Sequence, residues 1–204
     1  MKALLINGSP HPNGCTFTAL SLVKEQLEKE GIETEIVQIG TKDIRGCIGC
    51  RKCATLGHCI FSDIVNEIAP KLMEADGVVI GSPVYFAGMN GTLVSFMDRL
   101  FYSTGDKRMK VGAAVVSSRR AGSVQTFNAI NSYFTISQMP IASSRYWNEV
   151  HGYTKEDVMK DEEGVQTMRI LGKNMAFLMK AIETQKEKEG LPEEEVPIHT
   201  HFMK

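Results

Sequence analysis

The sequence predicts an α/β fold in which helices cover both faces of a parallel sheet. The first observation is a set of short apolar runs, at residues 3–6, 77–81 and 112–116, typical of strands that are buried on both faces. The second is that segments with apolar residues at helical spacing separate these runs. Strands and helices that alternate in this way form a parallel sheet through right-handed crossovers, and this arrangement places helices on both faces.

Two further strands complete the prediction. Residues 33–39 alternate between apolar and polar side chains, which predicts the second strand along the chain. Residues 140–142, Pro-Ile-Ala, form a short apolar stretch after the last buried run. We therefore expect a weak fifth strand at 140–142.

The helices are predicted from residues that favour helix ends and from apolar faces. Gly31 is expected to close the first helix, Ser62 or Asp63 to begin the second, and Asn90 to begin the third. Pro70 is expected to interrupt or kink the second helix. The residues expected on the inner faces, including those of a last helix capped near Thr154, are Phe17, Leu20, Val23, Leu27, Ile64, Ile68, Leu72, Leu93, Phe96, Met97, Leu100, Val124, Phe127, Ile130, Phe134, Val165, Met168, Leu171, Met175, Leu178 and Ile182.

Composition limits the classes of protein to which the chain can belong. A length of 204 residues suits one domain with a sizeable core, which we expect at 1–185, followed by a charged tail at 186–204. The net charge of −1 gives no electrostatic reason to expect nucleic acid or an anionic membrane as partner. No apolar run approaches the roughly 20 residues of a membrane span, and the short N-terminal run does not resemble a signal peptide. We therefore expect a cytoplasmic protein, whose five cysteines are reduced and serve metal, cluster or redox roles.

The loop between the first strand and the first helix is the strongest candidate for a ligand site. It reads Asn-Gly-Ser-Pro-His-Pro-Asn-Gly-Cys-Thr at 7–16, and Ser9 and Thr16 offer hydroxyls beside a helix N-terminus, where an anion is favoured. The ATP-binding pattern fails because five residues separate Gly8 from Gly14 and because Cys15 stands in place of lysine. A phosphomonoester such as that of FMN, bound by neutral donors, is the expected ligand, and a tight turn without ligand is the alternative.

Two more loops, at 83–91 and 117–122, leave strand ends at the same predicted edge of the sheet. The first offers a rigid Pro83, the aromatic rings of Tyr85 and Phe86, and Gly88 for close backbone approach. Apolar walls with main-chain donors suit a flat heterocycle, although Tyr85 and Phe86 also suit ordinary packing. In the second loop, Arg119 and Arg120 either balance the charge of a reduced ring, meet a nucleotide phosphate, or are solvated.

Several short motifs occur together in one known family. They lie at 8–10 with 13–16, at 81–86, at 96–99, at 147–152 and at 161–174, so that they cover most of the chain. With these motifs the sequence resembles the flavodoxin-like NAD(P)H-dependent FMN reductase family. The sequence differs from the family at two positions. It has His11 where the family often has Arg, and Cys15 where the family often has Asn.

The resemblance implies a flavodoxin-like three-layer α/β/α fold with a five-stranded parallel sheet, FMN as cofactor, and a homodimer or homotetramer with the flavin near the subunit interface. The transfer of hydride from NAD(P)H to flavin N5 does not require an acid or a base from the protein. We therefore assign no catalytic side chain. The candidate cofactor-binding residues are Ser9, His11, Asn13, Cys15, Thr16, Phe17, Pro83, Val84, Tyr85, Phe86, Ser117, Arg119 and Gly122.

A cysteine cluster lies between the second strand and the next helix. Cys47, Cys50, Cys53 and Cys59 have the spacing C-x2-C-x2-C-x5-C, close to the compact run of ferredoxins. The motif also resembles that of the iron–sulfur flavoproteins, which share the fold and carry a [4Fe–4S] cluster. Free thiols or a redox-active pair are the alternative, and zinc is a minor one because its usual motifs are more widely spaced.

Three functions remain open on the sequence. The first is an NAD(P)H-dependent FMN oxidoreductase that reduces a small acceptor such as a quinone or flavin. The second is an iron–sulfur flavoprotein that carries electrons with FMN and a [4Fe–4S] cluster, with a protein such as ferredoxin as partner. The third is an α/β ligand-binding module without a redox role.

Overall fold

The sheet contains five parallel strands, as predicted. A computed structural model describes residues 1–200 and 202, and in these residues the strands are β1 (Lys2–Asn7), β2 (Glu33–Gln38), β3 (Gly77–Pro83), β4 (Val111–Ser118) and β5 (Glu149–His151). Their spatial order is β2-β1-β3-β4-β5, which is the flavodoxin-like order and confirms the predicted fold class. This order reverses between β1 and β3, and ligands of such sheets bind at the carboxyl edge beside that switch point.

Helices cover both faces of the sheet. Their bounds are α1 (Cys15–Lys29), α2 (Cys53–Leu56), α3 (Ile64–Glu74), α4 (Gly91–Ser103), α5 (Ser123–Ile136), α6 (Lys155–Lys160) and α7 (Glu162–Glu189). The core on one face includes α1, α6 and α7, and the core on the other includes α3, α4 and α5. Side chains of β1 alternate between the two, because Leu5 packs in the first core and Leu4 and Ile6 in the second.

The predicted helix starts at Asp63 and Asn90 are confirmed. The Asp63 carboxylate accepts from the Val65 N–H at 3.1 Å, and the Asn90 side chain accepts from the Leu93 N–H at 3.2 Å. The interruption expected at Pro70 is not observed, because α3 continues to Glu74. Proline inside a helix costs about 3 kcal/mol. Burial of three apolar side chains of α3 stabilises the fold by about 1.5–3 kcal/mol each, which together outweighs the cost of the proline.

The fifth strand was predicted at the wrong place. It lies at Glu149–His151, where Ser117 pairs with Val150, and not at 140–142. Ile141 makes only an isolated bridge to Gly112. A proline at 140 has no N–H for a ladder hydrogen bond, and β5 is too short to show an apolar run.

The last predicted helix is two helices. Thr154 begins α6 with a capping box to Asp157, as predicted. Asp161 then ends α6, and its carboxylate accepts from the Gly164 N–H at 2.9 Å to begin α7. The predicted boundary between 185 and 186 lies inside α7, and of the predicted tail residues 201, 203 and 204 lie outside the described residues.

None of the helices in the described ranges 1–200 and 202 combines the length and apolar character needed to cross a membrane.

Candidate functional site

An open groove of about 380 Å³ lies at the carboxyl edge of the sheet, beside β1, β3 and β4. Its walls come from the three loops predicted to converge there and from a fourth loop that follows β5. The lining residues are Ser9, His11, Gly14, Cys15, Thr16, Pro83, Val84, Tyr85, Ser117, Ser118, Arg119, Gly152 and Tyr153. The convergence of the three loops is therefore confirmed.

The N-terminus of α1 forms one end of the groove. No side chain caps this terminus, and the N–H groups of Cys15, Thr16 and Phe17 have no acceptor among the described residues. Thr16 is buried at 1% exposure, and its hydroxyl lies 2.8 Å from that of Ser117. Unpaired N–H groups at the positive end of a helix dipole, with two hydroxyls beside them, favour an anion.

Hydrogen bonds hold the loop before α1 in one position. The Ser9 N–H donates to Asn7 Oδ1 at 3.1 Å, and the Ser9 hydroxyl accepts from the His11 N–H at 3.1 Å. From β2, Gln38 Nε2 donates to the Ser9 carbonyl at 2.6 Å. Gly40 lies so close that a Cβ there would be 2.1 Å from the Ser9 carbonyl oxygen. The Gln38 side chain and the backbone at Gly40, just after β2, therefore fix the end of the groove that suits an anion.

A tight hairpin turn at 85–88 begins at Tyr85, which lines the groove. Tyr85 and Gly88 exchange two backbone hydrogen bonds of 3.0 Å each, and between them Phe86 and Ala87 have φ of 51° and 58°. Such left-handed conformations cost about 1–3 kcal/mol each in non-glycine residues and often mark functional sites. Gly122, with φ of 91°, packs against this turn, because a Cβ there would lie 2.9 Å from the Cα of Ala87. The third loop thus supports the second.

The groove does not include every residue predicted for it. Asn13, Phe17, Phe86 and Gly122 lie outside its lining, and the Phe86 ring is fully exposed. The lining residues that the sequence did not predict are Gly14, Ser118, Gly152 and Tyr153. Gly152 and Tyr153 follow β5, so the misplaced fifth strand hid them.

Two of the lining side chains add detail to the chemistry of the groove. The Ser118 hydroxyl is buried and has no hydrogen-bond partner among the described residues, so it is available to a ligand. The Cys15 thiol donates to the Gly152 carbonyl over 3.6 Å, and burial raises the pKa of this thiol. Cys15 is therefore a neutral thiol near pH 7, and it adds no negative charge where an anion is favoured.

The four clustered cysteines line a second, smaller pocket against α4, on the side of the sheet that α3, α4 and α5 cover. The pocket residues are Cys47, Ile48, Cys50, Arg51, Cys53, Cys59, Ile60, Phe61, Arg99, Tyr102 and Ser103. The loop that carries the cysteines turns through residues of positive φ, with Gly49 at 64° and Gly57 at 72°. Gly57 ends α2, so that the chain reverses between Cys53 and Cys59.

Two of these sulfur atoms accept hydrogen bonds. The Gly49 N–H donates to Cys47 Sγ at 3.5 Å, and Arg99 Nε donates to Cys59 Sγ at 3.2 Å. The Asn66 side chain binds both the N–H and the carbonyl of Cys59, at 3.1 and 2.8 Å. Donors aimed at sulfur and an apolar wall are typical of iron–sulfur sites.

The cysteine pocket offers four thiols as possible ligands. In the part of the chain that the structure describes, no three His, Cys, Asp or Glu side chains converge on one ion position. A cubane cluster makes no such demand, because each of its four cysteines binds a different iron. Four thiols around one pocket therefore fit a [4Fe–4S] cluster in donor type and in number.

The fold and its strand order define a flavodoxin-like α/β protein. Residues 1–154 match the family described as NADPH-dependent FMN reductase. The chain belongs to this family, which supports FMN as cofactor and an oxidoreductase activity.

Relatives with curated names extend the comparison. An iron–sulfur flavoprotein of Methanocaldococcus jannaschii is 37% identical over 191 residues, which are 89% of this chain and 99% of the relative. Among solved structures, RosB with bound 8-demethyl-8-formylriboflavin-5'-phosphate has a TM-score of 0.72 at 16% identity, covering 99% of this chain and 92% of that one. An archaeal flavodoxin has a TM-score of 0.55 at 17% identity, covering 85% and 99%. The two structures support the fold, and the relative confirms the resemblance to iron–sulfur flavoproteins.

Proposed function

We propose that this chain is an FMN-dependent oxidoreductase that also holds a [4Fe–4S] cluster and exchanges single electrons with a redox protein such as ferredoxin. The observation that carries the proposal is that four cysteines line one pocket, in a chain whose groove suits a flavin phosphate. The name of the Methanocaldococcus relative supports the same function.

FMN would lie in the groove with its phosphate at the N-terminus of α1. The free N–H groups of Cys15, Thr16 and Phe17 would bind the phosphate oxygens, together with the Thr16 hydroxyl. The buried Ser118 hydroxyl would donate to the cofactor rather than remain unpaired. Once bound, FMN supplies both hydride-accepting and one-electron chemistry.

The turn at 85–88 would face the isoalloxazine ring. Tyr85 offers an apolar wall, and the strained turn at Phe86 and Ala87 leaves their N–H groups without acceptors among the described residues. Main-chain donors at the ring edge would stabilise negative charge on the reduced ring. Arg119, which lines the groove and is exposed, would add a positive charge there or bind a nicotinamide nucleotide.

The cluster would be held by Cys47, Cys50, Cys53 and Cys59, and it would supply one-electron transfer. Helix α4 connects the two sites, since it begins directly after the turn at 85–88 and carries Arg99 and Tyr102 to the cysteine pocket. At 1.5 Å per residue, Asn90 and Arg99 are separated by roughly 14 Å along the helix. One helix therefore links the turn beside the groove to the cysteine pocket.

Anaerobic purification followed by metal, sulfide and flavin analysis tests the proposal. We expect one FMN, about four irons and about four sulfides per chain, with a broad iron–sulfur absorption added to the flavin bands. Flavin without iron, after reconstitution with iron and sulfide, would exclude the electron-carrier function and leave the flavin enzyme. Protein that takes up neither would leave only a ligand-binding module.

A second candidate function is reduction of a small acceptor, such as a quinone or a free flavin, by NAD(P)H. The family match and the exposed Arg119 at the groove favour it. Anaerobic mixing with NADH and with NADPH should bleach the flavin absorption, and the faster of the two identifies the donor. No bleaching by either nucleotide would exclude this function and leave a redox protein as the electron donor.

We further propose that the chain acts as a homodimer or homotetramer. The turn at 85–88 exposes Phe86 completely and Tyr85 by nearly half, beside an open groove. A second subunit would cover these rings and the flavin face. Light scattering at micromolar concentration should give at least twice the chain mass of 22.6 kDa, and a monomer would contradict the proposal.

A further inference from the structure

Arg99 is a buried arginine in contact with the cysteine pocket. It lies on α4, is 1% exposed, and uses all three of its guanidinium nitrogens. Nε donates to Cys59 Sγ at 3.2 Å, and the two terminal nitrogens donate to the two carboxylate oxygens of Asp63 at 2.5 and 2.9 Å. The same two nitrogens also donate to the carbonyls of Arg45 and Phe61, at 3.3 and 3.4 Å. This one side chain therefore ties the segments on both sides of the cysteine cluster to α4.

The ion pair with Asp63 fixes the direction in which Nε points. Asp63 also caps α3, so its carboxylate is bound to a helix end as well as to the guanidinium. A two-pronged arginine–carboxylate pair has a defined geometry, and a buried guanidinium that stays charged needs its partner. With both terminal nitrogens bound, the remaining Nε–H is directed at the sulfur.

We propose that Arg99 is a positioning residue for the cysteine site, which holds Cys59 as the last cluster ligand and raises the reduction potential of the cluster. This inference rests on the proposed function. A charged donor to a ligand sulfur stabilises the more negative, reduced cluster, because reduction adds one electron to the iron–sulfur core. Partners of this kind typically change metal affinity or activity by 10–100-fold when they are lost.

The chain offers a pair of substitutions that separate the hydrogen bond from the charge. Arg99→Lys keeps a positive charge but removes the Nε–H donor and the two-pronged contact with Asp63. Arg45→Gln removes a charge over the Phe61 ring, 4.6 Å from its centre, and leaves the Arg99 hydrogen bonds unchanged because only the Arg45 carbonyl takes part in them. If positive charge alone set the reduction potential, Arg45→Gln would change it more than Arg99→Lys, because only Arg45→Gln removes a charge.

Iron content and redox titration of the reconstituted protein test the inference. We expect Arg99→Lys to release iron to a chelator on the order of ten times faster than wild type. Its midpoint potential should be lower by about 59 mV, the value of a tenfold change for one electron. Arg45→Gln should match wild type in both measurements. A wild-type potential and wild-type iron release in Arg99→Lys would overturn the inference.

Two further measurements keep the test decisive. Wild-type protein is loaded first, and failure to bind iron there would reject the cluster itself rather than the role of Arg99. If Arg99→Lys does not fold, pulsed EPR of the reduced wild-type cluster, labelled with ¹⁵N-arginine, replaces it. The label is placed in the guanidinium group, because Arg51 also lines the pocket. A nitrogen coupling that persists in both Arg45→Gln and Arg51→Gln supports the hydrogen bond from Arg99, and no coupling contradicts it.

Discussion

The groove and the cysteine pocket are built in opposite ways. The groove combines loops from Ser9 to Tyr153, so it exists only when the whole sheet has formed. The cysteines all lie within one segment, at 47–59, which contacts α4 at the pocket and α3 through the Asn66 side chain. Cys47 and Cys50 are exposed, and the loop buries few side chains of its own. The groove is therefore held by the sheet, whereas the cysteine loop is held by a few hydrogen bonds from α3 and α4.

The largest effect is expected from a substitution that abolishes the cysteine site and leaves the groove intact. Cys53→Ala should reduce iron from about four per chain to near zero, because the cubane needs all four thiolates. FMN content should not change, since Cys53 does not line the groove. Cys15→Ser is the matched control, a cysteine of the groove, and should keep its iron. Parallel loss of flavin in Cys53→Ala would show that the two sites are not independent.

A glycine pair tests the groove in the same way. A methyl group at Gly40 would lie 2.1 Å from the Ser9 carbonyl oxygen and must displace backbone, whereas one at Gly46 would meet nothing closer than 3.9 Å. Gly40→Ala should destabilise the fold by about 3 kcal/mol, the upper end for overpacking, and the displaced Ser9 loop should bind FMN more weakly while iron is retained. Gly46→Ala, although it precedes Cys47, should bind both cofactors normally. Fluorescence titration with FMN measures the difference, and equal affinities would contradict the proposed role of this contact.

A smaller effect is expected from one hydroxyl of the groove. Thr16→Ala removes a donor from the proposed phosphate position, and a hydrogen bond to a charged group is worth about 1.5–3 kcal/mol. Thr18→Ala removes only a hydroxyl that bonds the Gly14 carbonyl within the helix, and it serves as control. FMN affinity should fall in the first variant alone. Unchanged affinity in Thr16→Ala would place the phosphate elsewhere.

The sequence predicted the central strands well, because β1, β3 and β4 are buried on both faces and appear as apolar runs. It misplaced β5, whose three residues form a strand through pairing with β4 rather than through their own apolar character. Residues 140–142 showed the stronger pattern and make a single bridge. Local pattern thus identifies strands at the centre of a sheet better than strands at its edge.

The candidate sites show the same contrast between features set by local sequence and features set by distant contacts. The four cysteines are close together in the sequence, so their spacing alone predicted that they would form one site, and they line one pocket. The groove is not local, and its fourth wall, at Gly152 and Tyr153, was missed together with β5. The contact of Arg99 with Cys59 joins residues 40 positions apart and has no signal in spacing. Ser118 was missed although it follows the predicted Ser117, because only the structure shows its unpaired hydroxyl.

The partly buried thiol of Cys15 makes the five cysteines unequal toward alkylating reagents. The thiolate is the form that reacts, so the raised pKa of Cys15 slows its alkylation, while Cys47 and Cys50 are open to solvent. With the proposed cofactors bound, iron would block four cysteines, and a phosphate beside α1 would shield the fifth. The labelled positions, identified by mass spectrometry, therefore report the occupancy of the cysteine pocket, because Cys47 and Cys50 react only when iron is absent, whereas Cys15 reacts slowly with or without FMN.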